Sequence, residues 1–257
     1  MKSVPVLVLR CAGINCDEEV MHCWRVVGAD PTLVHINELA ERPNMIDEFA
    51  IVTIPGGFSY GDDIAAGQIL AQRIMHESAD ALRRLVERGG GILGICNGFQ
   101  ALVKTGLLPG GAGSRELVTV THNDSAKFEA RWVTLEVCTS QCPFLAPGAK
   151  LDMPVEHAEG KVVVASAAAA EKLDADGLIA VKYVDADGSH DTYPANPNGS
   201  DAGIAGLCDD TGRVFGLMPH PDRAFAHTHH PHWTRRDNTG TPDGLTVFQN
   251  AVAFWTP

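Results

Sequence analysis

The chain lacks an apolar run long enough to cross a bilayer. The longest near its start, residues 4–9, falls far short of the roughly 20 residues that a spanning helix needs. It is also short for a secretory leader, and no small-residue cleavage site follows it. Positive charge is scarce: 20 Lys+Arg stand against 32 Asp+Glu, a formal charge of −12. Such a chain gains nothing from a phosphate backbone, which argues against nucleic acid and for a protein partner with a basic patch. Paired cysteines are missing too. Seven is an odd number, and Cys138 and Cys142 form a CxxxC spacing without a matching second pair, so neither a disulfide framework nor a zinc site is supported. Free thiols in a reducing, cytoplasmic setting are the expectation.

What is present is a globular composition, 45% hydrophobic over 257 residues, read as one domain with some insertions. Short apolar runs at 4–9, 32–36, 50–54 and 91–95 predict buried strands. Helices are expected at 16–27, with Asn15 and Glu18 at capping-box spacing, at 78–87, and at 97–105 with Gly106 closing it. Strand and helix alternate through this half, the pattern of a parallel sheet covered on both faces. Beyond residue 115 the runs at 116–121, 132–137, 162–165, 178–184 and 214–218 predict a mixed or antiparallel extension. A helix starts at 167, and a terminal helix is expected at 244–254. Residues 226–243 read as a polar loop rich in His and Pro.

The sharpest local feature is Gly94-Ile95-Cys96-Asn97-Gly98, a G-x-C-x-G between a predicted strand and a predicted helix. This is the setting of a nucleophile elbow, with Cys where hydrolases often carry Ser. A helix N-terminus favours the thiolate, and the Asn97 N–H faces an oxyanion formed beside Cys96. Pro55-Gly56-Gly57-Phe58-Ser59-Tyr60-Gly61-Asp62 follows another predicted strand, and a glycine there could supply a second oxyanion donor. The alternative is a tight turn that merely needs glycine. Thiol chemistry on an amide needs a base, and His220 stands out in Met218-Pro219-His220-Pro221-Asp222. In an extended segment Asp222 shares its side of the chain and can orient the imidazole. His227, His229, His230 and His232 crowd together, but no Cys or well-spaced carboxylate completes a metal site, and a solvated loop is the better reading.

GICNGFQ at 94–100, PGGFSYGD at 55–62 and MPHPD at 218–222 together resemble the triad class of glutamine amidotransferases, and within it the branch serving purine synthesis. Supporting stretches are Asn123-Asp124-Ser125, PVEHAEG at 154–160 and YPANPNGS at 193–200. The resemblance implies a flavodoxin-like three-layer α/β sandwich, mostly parallel, with added antiparallel strands. It implies hydrolysis of glutamine to glutamate and ammonia through a Cys96 thioester. It makes Cys96, His220 and Asp222 the triad, Gly57 and Asn97 the oxyanion donors, and Gln100 a holder of the substrate, with His157, Ala158 and Gly160 lining the pocket. No metal and no cofactor are implied on this chain. ATP and Mg belong to a separate synthetase subunit that converts the formylglycinamide ribotide to the amidine, with a small third protein bridging the two. At the third triad position the family usually has Glu, one methylene longer than Asp222. An amidotransferase for another acceptor, or a stand-alone thiol hydrolase on the same fold, remains an alternative on the elbow alone.

Overall fold

The computed structural model describes residues 3–110, 113–190 and 192–256. Its N-terminal half follows the apolar runs. β1 (Pro5–Arg10), β3 (Ile51–Ile54) and β4 (Gly91–Ile95) bury nearly every residue, as strands covered on both faces must. α1 (Asp17–Val26), β2 (Asp30–His35) and α2 (Ile36–Glu41) lie between β1 and β3. α3 (Gln68–Glu77) and α4 (Ala79–Glu87) precede β4, and α5 (Asn97–Thr105) follows it. α1 turns Val20, Met21, Cys23 and Trp24 inward, one face at helical spacing, and the Trp24 indole donates to Thr53 Oγ1 at 3.1 Å.

After α6 (Ser114–Leu117) come β5 (Val118–Thr121), β6 (Glu129–Val137), β7 (Lys150–His157) and β8 (Lys161–Val164). α7 (Ala167–Ala175), β9 (Ile179–Val184), β10 (Ile204–Cys208), β11 (Val214–Leu217) and α8 (Asp243–Trp255) complete the chain. The main sheet runs β2-β1-β3-β4-β11-β10-β9-β6-β7. β2, β1, β3, β4 and β11 pair in parallel, the flavodoxin-like order, while β10, β9, β6 and β7 continue it antiparallel. β5 and β8 form a separate antiparallel pair.

Several expectations need correction. Residues 116–117 end α6 rather than begin a strand, because the chain makes one helical turn after Gly113 before extending. α3, β7 and β10 were not expected. β7 carries Pro154, which argues against a strand until the topology places β7 at the sheet edge, where a missing N–H costs no ladder bond. β10 is interrupted by Gly206, where the register with β9 shifts. The capping box at α1 does not form: Cys16 is the N-cap with no side-chain cap, and Asn15 Oδ1 instead lies 3.3 Å from the Cys16 thiol.

Candidate active site

The loops after β1, β3, β4 and β11 converge at the carboxyl edge of the parallel strands, where open α/β sheets bind ligands. Cys96 leaves β4 with φ 49° and ψ −104°, a conformation that L-residues rarely hold. Its N–H donates to Leu217 O at 2.8 Å, which ties the elbow to β11. The flanking glycines are steric necessities. A Cβ on Gly98 would lie 1.9 Å from Ile54 O, and one on Gly94 would lie 2.5 Å from the Leu102 side chain and 2.9 Å from the Gly98 backbone. α5 can therefore pack on β3 and β4 only with both glycines in place.

Beyond β11 the His220 N–H donates to Pro154 O at 2.8 Å, docking this segment on β7. His220 is extended (φ −105°, ψ 93°), but Pro221–Arg223 closes into a single 3-10 turn. That turn, not a continuous extended segment, brings Asp222 to the ring: Nδ1 lies 3.3 Å from Oδ1 and 3.5 Å from Oδ2. His220 is 2% exposed and Asp222 0%. Burial disfavours the imidazolium more than any one neighbour favours it. Asp222, Cys96 and a hydrogen bond with Cys16 together outweigh burial and hold the His220 pKa well above its ordinary value. Gly56 sits among these groups; a Cβ there would lie 2.7 Å from His220 Cε1, 3.3 Å from Cys16 Sγ and 3.5 Å from Cys96 Cβ.

Gly57 has φ +144° and forms an antiparallel bridge with Ile14, and a Cβ on it would strike Gly13 O at 2.7 Å and Asn15 N at 2.8 Å. Neither the Gly57 nor the Asn97 N–H donates to an acceptor among the described residues. The Asn97 side chain knits the loop together. Its Oδ1 accepts from Ser59 N–H at 3.0 Å, and its Nδ2 donates to Asp62 Oδ1 at 3.0 Å and Gln100 Oε1 at 2.9 Å. Burial, more than the bonds from Gly67 and Asn97 can offset, raises the Asp62 pKa. Gln100 Nε2 donates to Glu159 O, so both ends of its amide are engaged within the chain. The 157–160 segment is equally tied down: Asn123 N–H donates to Ala158 O at 2.9 Å, Asn123 Nδ2 to His157 O at 2.8 Å, and Asn198 Nδ2 to Gly160 O at 2.8 Å. Gln100 and this segment thus form a braced wall rather than a row of free donors. Cys96 is 5% exposed, its sulfur 3.8 Å from Glu156 O.

A family model of the CobB/CobQ-like glutamine amidotransferase domain matches residues 3–255. The chain belongs to this glutamine amidotransferase family. It is 44% identical to the phosphoribosylformylglycinamidine synthase subunit PurQ of Dehalococcoides mccartyi, over 99% of this chain and 98% of that one. It is 35% identical to the PurQ subunit of Methanococcus maripaludis, over 99% of each. Among solved structures, PurLQS from Thermotoga maritima aligns with a TM-score of 0.75 at 30% identity, covering 99% of this chain and 100% of that chain. A glutamine amidotransferase from Thermotoga maritima, 15% identical with a TM-score of 0.55, shares the fold.

Three features of this amidotransferase were not foreseen from sequence. Cys16, one of the seven expected free thiols, packs against His220. Its sulfur also lies 3.3 Å from Arg223 Nη2. Arg223 in turn pairs with Glu156 and Glu19. The signal available was position: Cys16 closes the loop after β1, at the edge where the other loops meet. The histidine-rich loop has a packing role. His229 stacks edge-on against Phe225 with centroids 4.5 Å apart, His230 against Trp132 at 4.7 Å, and His227 Nε2 meets Gly240 O at 3.1 Å. Among the described residues none of the four joins a cluster of three metal-ligating side chains, and neither do Cys138 and Cys142. No helix of the described residues is long and apolar enough to cross a membrane.

Proposed function

We propose that this chain is the glutaminase subunit of a phosphoribosylformylglycinamidine synthase, with Cys96 as nucleophile and His220 as its acid and base. The observation that carries the assignment of roles is the strained elbow at Cys96, which meets the buried His220–Asp222 pair where Gly56 approaches both. Held well above its ordinary pKa, His220 keeps a proton and Cys96 reacts as the thiolate. The sulfur attacks the glutamine carboxamide carbon, and the oxygen's new charge meets the Gly57 and Asn97 N–H groups. Collapse breaks the C–N bond as His220 gives its proton to the leaving nitrogen, releasing ammonia and leaving a Cys96 thioester. Neutral His220 then takes a proton from water, whose oxygen attacks the thioester. Glutamate leaves and the thiolate returns. Asp222 orients the ring through both steps.

Gln100 and the His157, Ala158 and Gly160 backbone shape the side of the pocket facing the substrate. The ammonia passes to a PurL synthetase subunit, which holds ATP and Mg and aminates the formylglycinamide ribotide; a PurS subunit bridges the two. Seven free thiols and a biosynthetic role suit the cytoplasm. In the assembled complex, Cys96→Ala and His220→Asn should each abolish glutamine-dependent product formation while leaving ammonia-dependent formation intact. Glutamate release at the native rate by either variant overturns the assignment.

A further inference from the structure

Cys16 forms no bond to substrate in the chemistry just described, yet it sits at its centre. One ligand atom each from Cys16, His220 and Asp222 (sulfur, ring nitrogen and carboxylate oxygen) lie within 4.8 Å of one another, and all three residues are buried. We infer that these residues form an inhibitory site for a soft divalent cation, and that zinc is the ion the donor set fits.

Three observations carry the inference. The first is the donor set itself: thiolate, imidazole and carboxylate are all zinc ligands, and three of them leave a fourth position open. Zinc bonds of about 2.0–2.3 Å put tetrahedral ligands roughly 3.5 Å apart, so the trio needs to contract by about 1 Å. The His220–Asp222 pair is already there, at 3.3 Å. The second is Asp222 Oδ1, wholly buried and without a hydrogen-bond partner among the described residues. His220 Nδ1 lies 3.3 Å away without bonding to it, so a cation between the two satisfies both. The third is charge. Thiolate and carboxylate bring two negative charges to a neutral imidazole, and a divalent cation cancels them where water is excluded. The Cys16 thiol and the protonated His220 ring each give up a proton to solvent on binding.

The segments that carry the ligands are held. The Cys16 N–H donates to Gly56 O at 3.4 Å, its carbonyl starts α1 through Val20 N–H at 3.1 Å, and prolines flank His220. Arg223 competes for the Cys16 sulfur, but Glu156 and Glu19 keep it paired when it moves off. An ion in this place takes Asp222 and a His220 ring nitrogen out of the triad, so glutamine hydrolysis stops. That consequence rests on the function proposed above; the binding does not.

The test is a zinc chloride titration of the metal-free full chain against a chromophoric chelator. The wild type should take one ion at this site. Cys16→Ala and Cys16→Ser, the latter keeping the size and exchanging soft sulfur for oxygen, should each weaken it at least about tenfold. Cys96→Ala, and the pair His229→Asn and His230→Asn, should bind as the wild type does. Unchanged zinc affinity in both Cys16 variants, or its loss in Cys96→Ala, overturns the site. In parallel, zinc should inhibit glutamate release by the wild-type complex, and a chelator should restore it. Turnover that continues with the site filled overturns the inhibition. A complex with zinc bound as described but no glutaminase activity at any zinc level refutes the proposed function and leaves the site standing.

Discussion

Asp222 reaches His220 because the 3-10 turn at Pro221–Arg223 folds its carboxylate back onto the ring. This predicts how the position responds to change. Asp222→Asn keeps the turn and removes the charge that favours the imidazolium, so kcat should fall by roughly 100-fold or less, short of the loss in Cys96→Ala. Asp222→Glu adds a methylene where none of the side chain is exposed, and overpacking of that kind costs about 1–3 kcal/mol. It should therefore lower the melting temperature while keeping substantial activity; an inactive but folded Glu variant would show that the turn tolerates only Asp. His157 is a second buried imidazole, of opposite character. Burial above all, and then the neighbouring His220, push its pKa down to about 3, and Nδ1 makes its bond to Asn123 Oδ1 at 3.1 Å. With a folded pKa below its unfolded value, the neutral ring's contribution to stability is fully present above about pH 6.5. It is lost as pH falls toward 3, on the order of 1.4 kcal/mol per pH unit within that window. His220, raised instead, is protonated in both states well below pH 6.5; its own contribution starts to be lost above that value and is gone once pH has risen through its folded pKa, in the wild type and in His157→Gln alike. Urea unfolding at pH 5, 6 and 7 should show the wild type weakening toward acid more steeply than His157→Gln. Equal slopes would mean that His157 titrates normally in the folded chain.

At the scale of elements, the junction of β3, β4 and α5 decides both fold and site, and it was legible in the sequence because its constraints are local. Gly94 and Gly98 answer to contacts with Leu102 and Ile54, and a strand–Cys–helix pattern is visible without knowing what packs beside it. Gly98→Ala should separate α5 from β3, destabilise the protein by about 2–3 kcal/mol, and lower the melting temperature by roughly 4–10 °C. A thermal melt matching the wild type would show that α5 slides without cost. What the sequence hid was long-range. Pro154 obscured β7 because edge position is a property of the assembled sheet, and Gly206 obscured β10 because its bulge is set by the β9 register. Cys16 looked ordinary for the same reason: its neighbour His220 arrives from β11 at the other end of the chain. Gln100 shows the converse. Its motif was readable, but only the fold reveals that Asn97 and Glu159 occupy both ends of its amide.

At the scale of the molecule, the proposed nucleophile is nearly closed off from solvent, which bears on when it acts. Cys96 is 5% exposed, and Gln100, one turn along the same helix, is pinned to Glu159, whose carboxylate accepts from Ala66 N–H at 3.1 Å. The loop between β3 and α3 is under strain, with Tyr60 at φ 56° and Asp62 at φ 51°, conformations that cost on the order of 1 kcal/mol or more each. The same loop displays two large apolar side chains to solvent, Phe58 and Ile64. A synthetase that docks on Phe58 and Ile64 can draw the strained loop into a second arrangement, admitting glutamine and setting the Gly57 N–H toward the oxyanion. It must bind that arrangement more tightly than the closed one. Hydrolysis without an acceptor wastes glutamine, and a small misplacement of the reacting groups is worth about 100-fold in rate. The isolated chain should accordingly hydrolyse glutamine about 100-fold more slowly than the complex supplied with nucleotide and ribotide. Changing Phe58 and Ile64 to Ser together should erase most of that stimulation and leave the slow basal rate. Steady-state glutamate release by the chain alone, by the complex and by the double variant decides the matter. Full turnover by the free chain, unchanged when its partners are added, would refute the gating and leave the triad standing.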